Sequence, residues 1–314
     1  MATVREVAAF AGVSIATVSR ALNSPETLSP ESLRNVMQAI NALDYQVKIK
    51  PKKMTNLFGV IFPNISNPFF ADLLEVLEQE SYLHGRCILF FNSKNNARQE
   101  LIALHECEAH EVDGVFLVPV GDMSEGYQDR LNQFKYQTVI LTRSATKLPS
   151  VSTDHQNGGR QIAAHLLSAG HSVIGYIGIM DPFDDKYHGF AQYLSEQGYL
   201  LKTEHCLNTH EKTSLADFLK SAIFQYKVTA FGCSNDVLIQ QVLETCQAFE
   251  QPLPEISIVG FDNTIISRLM KFSTISQPMR EIAHTGFELM IEALKNAKSD
   301  AFQPQLLLPK LIIR

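Results

Sequence analysis

The sequence of 314 residues contains no run of about 18 apolar residues, which is the length that a membrane-spanning helix needs. Its first residues, Met1 to Glu6, also lack the apolar segment and cleavage site of a secretory signal peptide. These two absences argue against an integral membrane protein and against secretion. We therefore expect a cytoplasmic protein with no membrane partner.

Cysteine is scarce and scattered. Five cysteines occur, and no two of them form a Cys-x-x-Cys motif: Cys87, Cys107, Cys206, Cys233 and Cys246. An odd number with this spacing argues against a disulfide framework and fits a reducing compartment.

Motifs of several common enzyme classes are also missing. The sequence has no G-x-x-x-x-G-K-[ST], no G-x-S-x-G and no H-E-x-x-H. Cys107 and His110 are one helical turn apart, but His105 does not share their helix face, which argues against a metal site. The acidic run in residues 181–185 contains a proline and is typical of a solvated turn. The sequence therefore predicts no catalytic residue, no metal and no cofactor.

Charge is divided unevenly along the chain. Residues 1–53 contain seven basic and four acidic residues, a net charge of +3, whereas the whole chain has −6. Residues 54–314 therefore have a net charge of −9. This asymmetry indicates that a polyanionic partner would bind the N-terminal segment alone.

The first 46 residues contain the start and stop signals of short helices. Thr3 and Glu6 form a capping box, which predicts a helix that ends at the turn residue Gly12. Ser14 caps a second helix, predicted over residues 15–22.

A third helix is predicted to begin at Ser29-Pro30, with serine as the cap and proline in the first turn. Its apolar stripe has helical spacing and consists of Leu33, Val36, Met37, Ile40 and Leu43. Two short helices joined by a glycine turn and completed by a third form a helix-turn-helix module, whose second helix can enter the major groove of DNA. A plain three-helix bundle is the alternative.

Two segments of this module have a sequence that is typical of one protein family. Residues 4–8 read Val-Arg-Glu-Val-Ala, and residues 11–23 read Ala-Gly-Val-Ser-Ile-Ala-Thr-Val-Ser-Arg-Ala-Leu-Asn. They resemble the headpiece of the lactose/galactose repressor (LacI/GalR) family, which consists of bacterial transcription factors. The resemblance implies that eight residues bind DNA: Thr3, Ser14, Ile15, Ala16, Thr17, Ser19, Arg20 and Asn23. It also implies a protein associated with the nucleoid.

Ile15, Ala16 and Arg20 occupy the positions at which this family reads bases. Ile15 and Ala16 can make only apolar contacts, for example with a thymine methyl group, whereas Arg20 can pair bidentately with guanine. The neighbouring hydroxyl side chains would contact phosphates: Thr3, Thr17 and Ser19.

Residues 47–57 form a basic linker that departs from the family pattern. The family continues here with an Ala-Arg-x-Leu hinge helix, which this sequence lacks, and Pro51 would break such a helix. Four lysines surround the proline: Lys48, Lys50, Lys52 and Lys53. The linker either contacts DNA phosphates or is simply solvated, and both interpretations stay open.

From residue 58 onward, short apolar runs alternate with helical patterns. The predicted strands are 59–62, 87–91, 114–118, 138–141, 173–177, 229–231, 256–259 and 306–313. The predicted helices are 69–84, 97–110, 157–169, 187–197, 235–249 and 279–297. This alternation is typical of an α/β protein with doubly wound parallel sheets.

The length of this region predicts two lobes rather than one domain. The first would contain residues 58–155 and 277–303, and the second residues 156–276 and 304–314. The family resemblance extends over this region and implies a two-lobed core like that of periplasmic binding proteins.

Ligands of such sheets bind beyond the carboxyl ends of the strands. Polar residues at these ends, together with two phenylalanines, suit a polyhydroxylated ligand, and the resemblance implies an effector site here. The predicted effector-binding residues are Asn67, Phe69, Phe70, Thr142, Arg143, Asp154, Lys186, Asn235 and Asp262.

Two of these positions depart from the family pattern. Lys186 stands where relatives have an arginine, and Thr142 stands where they have an aspartate. Lysine is a point charge and cannot form the forked hydrogen bonds of a guanidinium group. A sugar or sugar derivative is favoured as the ligand, but its identity cannot be transferred from relatives.

These features predict a homodimeric transcriptional repressor that binds a near-palindromic operator on double-stranded DNA, with its DNA affinity modulated by the small molecule between the lobes. The alternative is a two-lobed binding protein or a sugar-related enzyme in which the headpiece is accessory.

Overall fold

The structure is a computed structural model that describes residues 2–23, 27–45, 54–180, 184–250, 252, 254–295 and 302–314. The chain forms two compact units, residues 1–53 and 54–314. The segment 46–53, which contains most of the predicted basic linker, lies outside the described residues. Within the described residues, no helix combines the length and the apolar character needed to cross a membrane.

The N-terminal unit contains three helices, α1 (Val4–Ala11), α2 (Ile15–Asn23) and α3 (Pro30–Ala42). The backbone N–H of Thr3 donates to Glu6 Oε2 at 2.6 Å, and the N–H of Glu6 donates to Thr3 Oγ1, which completes the predicted capping box. Helix α1 ends at Gly12, whose φ of 66° is readily adopted by glycine. Ser29 caps α3 through the N–H of Ser32.

The core of this unit is built from small side chains, which allow the helices to approach closely. Its buried residues are Val7, Ala8, Val18, Ala21, Val36 and Ala39. The predicted apolar stripe of α3 is wrong at Met37, which is 47% exposed, because the face of α3 that packs on α1 passes through Ala39 instead.

The second unit alternates strands and helices. Its strands are β1 (Leu57–Phe62), β2 (Cys87–Asn92), β3 (Gly114–Leu117), β4 (Gln137–Leu141), β5 (Ser150–Thr153), β6 (Ile174–Gly178), β7 (Cys206–Asn208), β8 (Ala230–Cys233), β9 (Ser257–Asp262), β10 (Ser273–Ser276), β11 (Gln305–Leu307) and β12 (Lys310–Ile312). Its helices are α4 (Pro68–Leu83), α5 (Ala97–Ala109), α6 (Glu125–Leu131), α7 (His155–Ser168), α8 (Asp185–Glu196), α9 (Leu215–Lys220), α10 (Asp236–Gln247), α11 (Ile265–Met270) and α12 (Met279–Lys295).

These strands form two sheets of the same topology, ordered β2-β1-β3-β4-β5-β11 and β7-β6-β8-β9-β10-β12. All pairings are parallel except that of β10 with β12. In the first lobe, α4 and α12 cover one face of the sheet and α5 and α6 cover the other. In the second lobe, α7 and α8 lie opposite α9 and α10. This is the predicted pair of doubly wound lobes.

The second unit begins before residue 58, the residue at which the core was expected to start. Asp113, a buried carboxylate, accepts hydrogen bonds from the backbone N–H groups of Thr55 and Asn56, at 3.0 and 2.9 Å. Arg86 pairs with the same carboxylate at 2.9 Å. Thr55 and Asn56 therefore belong to the core.

The chain crosses between the lobes three times, after β5, after β10 and between β11 and β12. The predicted single strand over residues 306–313 is wrong, because it is divided between two sheets. Strand β11 pairs with β5 in the first lobe, and β12 pairs with β10 in the second. Pro309, which has no N–H to donate, lies at the crossing. The chain therefore returns to the second lobe only after Leu307, not at residue 304.

Short elements account for the remaining differences from the sequence. Strands β5, β7 and β10 and helices α6, α9 and α11 have three to seven residues each and were not predicted. Strands β5 and β10 are rich in serine and threonine yet largely buried, because strands flank them on both sides.

We expect Gly189→Ala to destabilise the second lobe. Helices α7 and α8 cross so closely that a Cβ at Gly189 would overlap the carbonyl oxygen of Gln156. Because backbone would have to move, the free energy of unfolding should fall by about 2–3 kcal/mol, measured by urea denaturation. Gly126→Ala, in α6, is the matched control, since a Cβ there meets no atom within 4 Å. An equal loss in both variants would contradict the close crossing.

Candidate functional site

The residues at the N-terminus of α2 are exposed on the surface of the N-terminal unit. Ser14 caps this helix by accepting a hydrogen bond from the N–H of Thr17 at 3.1 Å. The hydroxyl groups of Ser14 and Thr17 lie 2.9 Å apart, so both contribute to the cap. Val18 is buried, which turns the other side of the helix outward.

Most of the predicted base-reading and phosphate-contacting residues lie on that outward side. Ile15 is 46% exposed, and Ala16, Ser19 and Arg20 are also exposed. Within the described residues, the Arg20 guanidinium makes no hydrogen bond or ion pair, so its donors are available to a partner. Asn23 ends α2, but its side chain lies outside the described residues.

Thr3 lies apart from these residues in the sequence, at the start of α1. Its hydroxyl donates to Glu6 Oε2 at 2.9 Å while accepting from the Glu6 N–H at 3.4 Å. The backbone N–H and the hydroxyl of Thr3 both donate to Glu6 Oε2, and these two hydrogen bonds lower the pKa of Glu6 below its ordinary value. A phosphate contact by Thr3 therefore has to share this hydroxyl with the helix cap.

A cavity of about 750 Å³ lies between the two lobes of the second unit. Its walls come from the segments that follow β1, β3 and β4 in the first lobe and β6, β8 and β9 in the second. These are the carboxyl ends of parallel strands, where the topology predicts a ligand site. Eight of the nine predicted effector-binding residues line the cavity: Asn67, Phe69, Phe70, Thr142, Arg143, Lys186, Asn235 and Asp262.

Asp154 is the exception. Its side chain caps α7 by accepting a hydrogen bond from the N–H of Asn157 at 2.9 Å. The sequence placed it correctly at the end of a strand, but its carboxylate caps α7, and Asp154 does not line the cavity.

Asp262 is the polar centre of the cleft and connects both lobes. Its Oδ1 accepts a hydrogen bond from Gln277 Nε2 at 2.7 Å, and its Oδ2 accepts one from Asn67 Nδ2 of the first lobe at 3.3 Å. Gln277 in turn accepts from the hydroxyl of Thr153 in β5 at 2.7 Å. Asp262 and Gln277 therefore link the lobes twice by direct hydrogen bonds.

Burial raises the pKa of Asp262 to about 6. The positive charge of Lys186 opposes this shift, whereas the negative charge of Asp236 adds to it. The carboxylate is therefore charged at neutral pH and takes up a proton as the pH falls through about 6.

Lys186 already has its partners within the protein. Its ammonium group donates to the carbonyl oxygen of Ser234 at 3.0 Å, lies 4.0 Å from Asp262 Oδ1 and sits 4.1 Å from the ring centroid of Phe261. Three interactions within the protein thus compensate a charge that extends into the cleft.

Arg143 is in the opposite situation. It follows Thr142, whose φ of 62° turns the chain at the end of β4, and it makes no hydrogen bond or ion pair within the described part of the chain. Burial raises the pKa of the nearby Asp185 carboxyl, and the positive charge of Arg143 opposes this shift. Among the described residues of the cleft, Arg143 is therefore a guanidinium group without a hydrogen-bonding partner, and it lies near the carboxyl group of Asp185.

Gln277 and His155 line the cleft wall but were not among the predicted effector-binding residues. Gln277 is buried where the chain leaves β10, and His155 follows Asp154 at the crossing into α7. Burial and the charge of Lys186 lower the pKa of His155 to about 3, so the imidazole is neutral. Their positions at the lobe crossings could have indicated both residues from the sequence.

Phe69 and Phe70 provide the apolar wall of the cleft. Their rings lie 5.3 Å apart in an edge-to-face arrangement, and Phe69 is buried. An apolar ring wall opposite amide, carboxyl and guanidinium groups suits a small ligand with both hydroxyl-bearing edges and an apolar face.

Two further histidines, His171 and His105, have structural partners. His171 lies between the hydroxyl groups of Thr229 and Ser257, at 2.9 and 2.8 Å, and so connects the starts of neighbouring strands. His105 packs edge-on against the ring of Phe134.

Comparison with known proteins shows relationships over both units. Residues 3–47 match bacterial regulatory proteins of the lacI family, and residues 163–314 match a periplasmic binding protein-like domain. The chain is 27% identical to the ribose operon repressor of Halalkalibacterium halodurans, over 100% of this chain and 96% of that protein. It is 26% identical to the HTH-type transcriptional repressor PurR of Mannheimia succiniciproducens, over 100% and 98%.

Among solved structures, the complex of the transcriptional regulator CelR with cellobiose has the same fold, with a TM-score of 0.70 and 20% identity over 100% of this chain and 99% of that one. The two curated relatives are transcriptional repressors rather than enzymes. The chain therefore contains a helix-turn-helix domain of the lacI family of bacterial regulatory proteins and a periplasmic binding protein-like domain, and its full-length relatives are repressors.

Proposed function

We propose that this protein is a transcriptional repressor whose affinity for DNA is set by a small polyhydroxylated metabolite bound between the core lobes. The observation that carries the proposal is the cleft itself, in which both lobes supply polar groups to one cavity beside an apolar ring wall. Its combination with a LacI-family headpiece supports a regulator more than an enzyme or a transport protein.

The effector would act on the balance between arrangements of the two lobes. A ligand that contacts both lobes favours the closed arrangement only by its greater affinity for that arrangement. Asn67, Asp262 and Gln277 already connect the lobes, so a ligand that engages them would strengthen or replace existing hydrogen bonds. Whether it promotes or releases DNA binding depends on which arrangement fits the operator.

A homodimer is the assembly that fits this function, because a single small headpiece buries too little surface for tight specific binding to DNA. The core also exposes large apolar side chains suited to a subunit contact, among them Leu83 in α4 and Leu269 in α11, at 75% and 73% exposure.

We expect enrichment of bound duplexes from a random DNA pool to give a two-fold symmetric consensus. Two headpieces related by a two-fold axis read two inverted half-sites, so symmetry in the DNA reports a dimer. The selection should be done with the full chain at moderate salt and without ligand. Only salt-sensitive, sequence-independent binding would contradict specific recognition by α2.

We expect Arg20→Ala to reduce affinity for that consensus by about 1–3 kcal/mol and to relax specificity at one base pair of each half-site, because the pairing of Arg20 with guanine is lost. Fluorescence anisotropy with single-base variants of the duplex measures both effects. Arg34→Ala, which removes another exposed arginine, from α3, is the matched control. Unchanged specificity in Arg20→Ala would refute the base-reading role.

We expect Arg143→Ala to weaken sugar binding about tenfold or more, because a charged hydrogen bond is worth about 1.5–3 kcal/mol. The stability of the unliganded protein should hardly change, since this side chain has no described partner. A thermal-shift panel of free and phosphorylated mono- and disaccharides, including cellobiose, would identify the ligand, and calorimetry would measure the loss. Arg98→Ala, on the exposed face of α5, is the control. Equal sugar binding by both variants would show that Arg143 does not contact the ligand.

A further inference from the structure

Asp236, the first residue of α10, is a fully buried carboxylate outside the cleft lining. Its Oδ2 accepts hydrogen bonds from the N–H of Thr264 at 2.7 Å and from the Thr264 hydroxyl at 2.9 Å, and its Oδ1 accepts one from the Thr274 hydroxyl at 2.6 Å. These partners are uncharged, and burial raises the pKa of Asp236. Burying a carboxylate without a cation is costly, so its position calls for a structural reason.

The turn that Asp236 holds is strained. Thr264 follows Asp262 and Asn263, which have φ values of 116° and 59°. Residues other than glycine adopt positive φ at a cost, and they keep it only where the surrounding structure holds them there. Asp236 binds both the backbone and the side chain of the residue that ends this turn.

The strained turn determines where Asp262 points. Its carboxylate reaches Gln277 and Asn67 across the cleft, while Asn263 Nδ2 donates to the hydroxyl of Ser276 on the neighbouring strand at 3.1 Å. If Asp262 had the negative φ of an ordinary strand residue, its side chain would leave this direction.

Strand β9 leaves room for the carboxylate of Asp236 beside the turn. A Cβ at Gly260 would lie 2.7 Å from Asp236 Oδ1, so glycine lets the side chain pack against the strand two residues before Asp262. Asp236 also follows Asn235, which caps α10 and lines the cleft. One buried side chain thus joins the segments that present both cleft residues.

We propose that Asp236 is a positioning residue of the effector cleft, which holds the positive-φ turn through Thr264 so that Asp262 and Asn235 face the cavity together. The importance of this geometry for ligand binding rests on the proposed function, but the geometry itself can be tested without a ligand. The charged groups that face Asp262 are Lys186 from α8 and Asp236 from α10.

The test follows the Asp262 carboxyl by carbon-detected NMR titration of the ligand-free full chain, with Asp262→Asn used for assignment. The wild-type midpoint is expected near 6. In Asp236→Ala a crystal structure should show Asp262 and Asn263 at negative φ. The midpoint should also fall toward the ordinary aspartate range, because both the turn and the negative charge of Asp236 are lost. Asp236→Asn keeps an acceptor oxygen and should restore the turn, although loss of the charge still lowers the midpoint.

Two isosteric variants form a matched pair in case Asp236→Ala does not fold. Thr264→Val and Thr274→Val each remove one hydroxyl hydrogen bond to Asp236, at 2.9 and 2.6 Å, but only Thr264 belongs to the turn. Both should lower the melting temperature, and only Thr264→Val should shift the Asp262 midpoint. The proposal is overturned if folded Asp236→Ala keeps Asp262 and Asn263 at positive φ, or if the two valine variants titrate alike. Failure of every sugar to bind would refute the proposed effector and leave this result unaffected.

Discussion

The carboxylate of Asp262 is the point on which the arrangement of the cleft depends. It belongs to the second lobe and accepts a hydrogen bond from Asn67 of the first lobe. It also accepts one from Gln277, which in turn accepts a hydrogen bond from Thr153 in β5 of the first lobe. Because it is buried, every hydrogen bond and charge around it weighs more than it would in water. The protonation of this group, the separation of the lobes and the occupancy of the cavity are therefore coupled through the same few contacts.

Charge in the cleft is distributed differently from what the residue types alone suggest. Lys186 and Asp262 largely compensate each other, with help from the Ser234 carbonyl and the Phe261 ring, so neither requires a ligand for stability. Arg143 is left without a described partner. If Arg143 rather than Lys186 binds the ligand, the hydroxyl or anionic group of that ligand lies on the side of the first lobe.

The N-terminal unit forms a stable three-helix core from few residues. Alanine and valine dominate its core, so three short helices can pack at close range and still expose the start of α2. Caps at Thr3, Ser14 and Ser29 satisfy N–H groups that such short helices would otherwise leave unpaired. The exposed face therefore results from the same sequence features that make the helices stable.

Local sequence determined the elements whose signals are local. The capping box at Thr3, the glycine turn and the long apolar strands such as β1 and β9 were predictable, because propensity and periodicity act within a few residues. Strand alternation also gave the two lobes and placed eight cleft residues at strand ends. Only the tertiary structure decided that polar β5 and β10 are buried strands, that Pro309 separates β11 from β12, and that Asp154 caps a helix while Asp236 holds a turn. These outcomes depend on partners more than twenty residues away in the sequence or on competition between nearby hydrogen bonds, and no local pattern encodes which partner prevails.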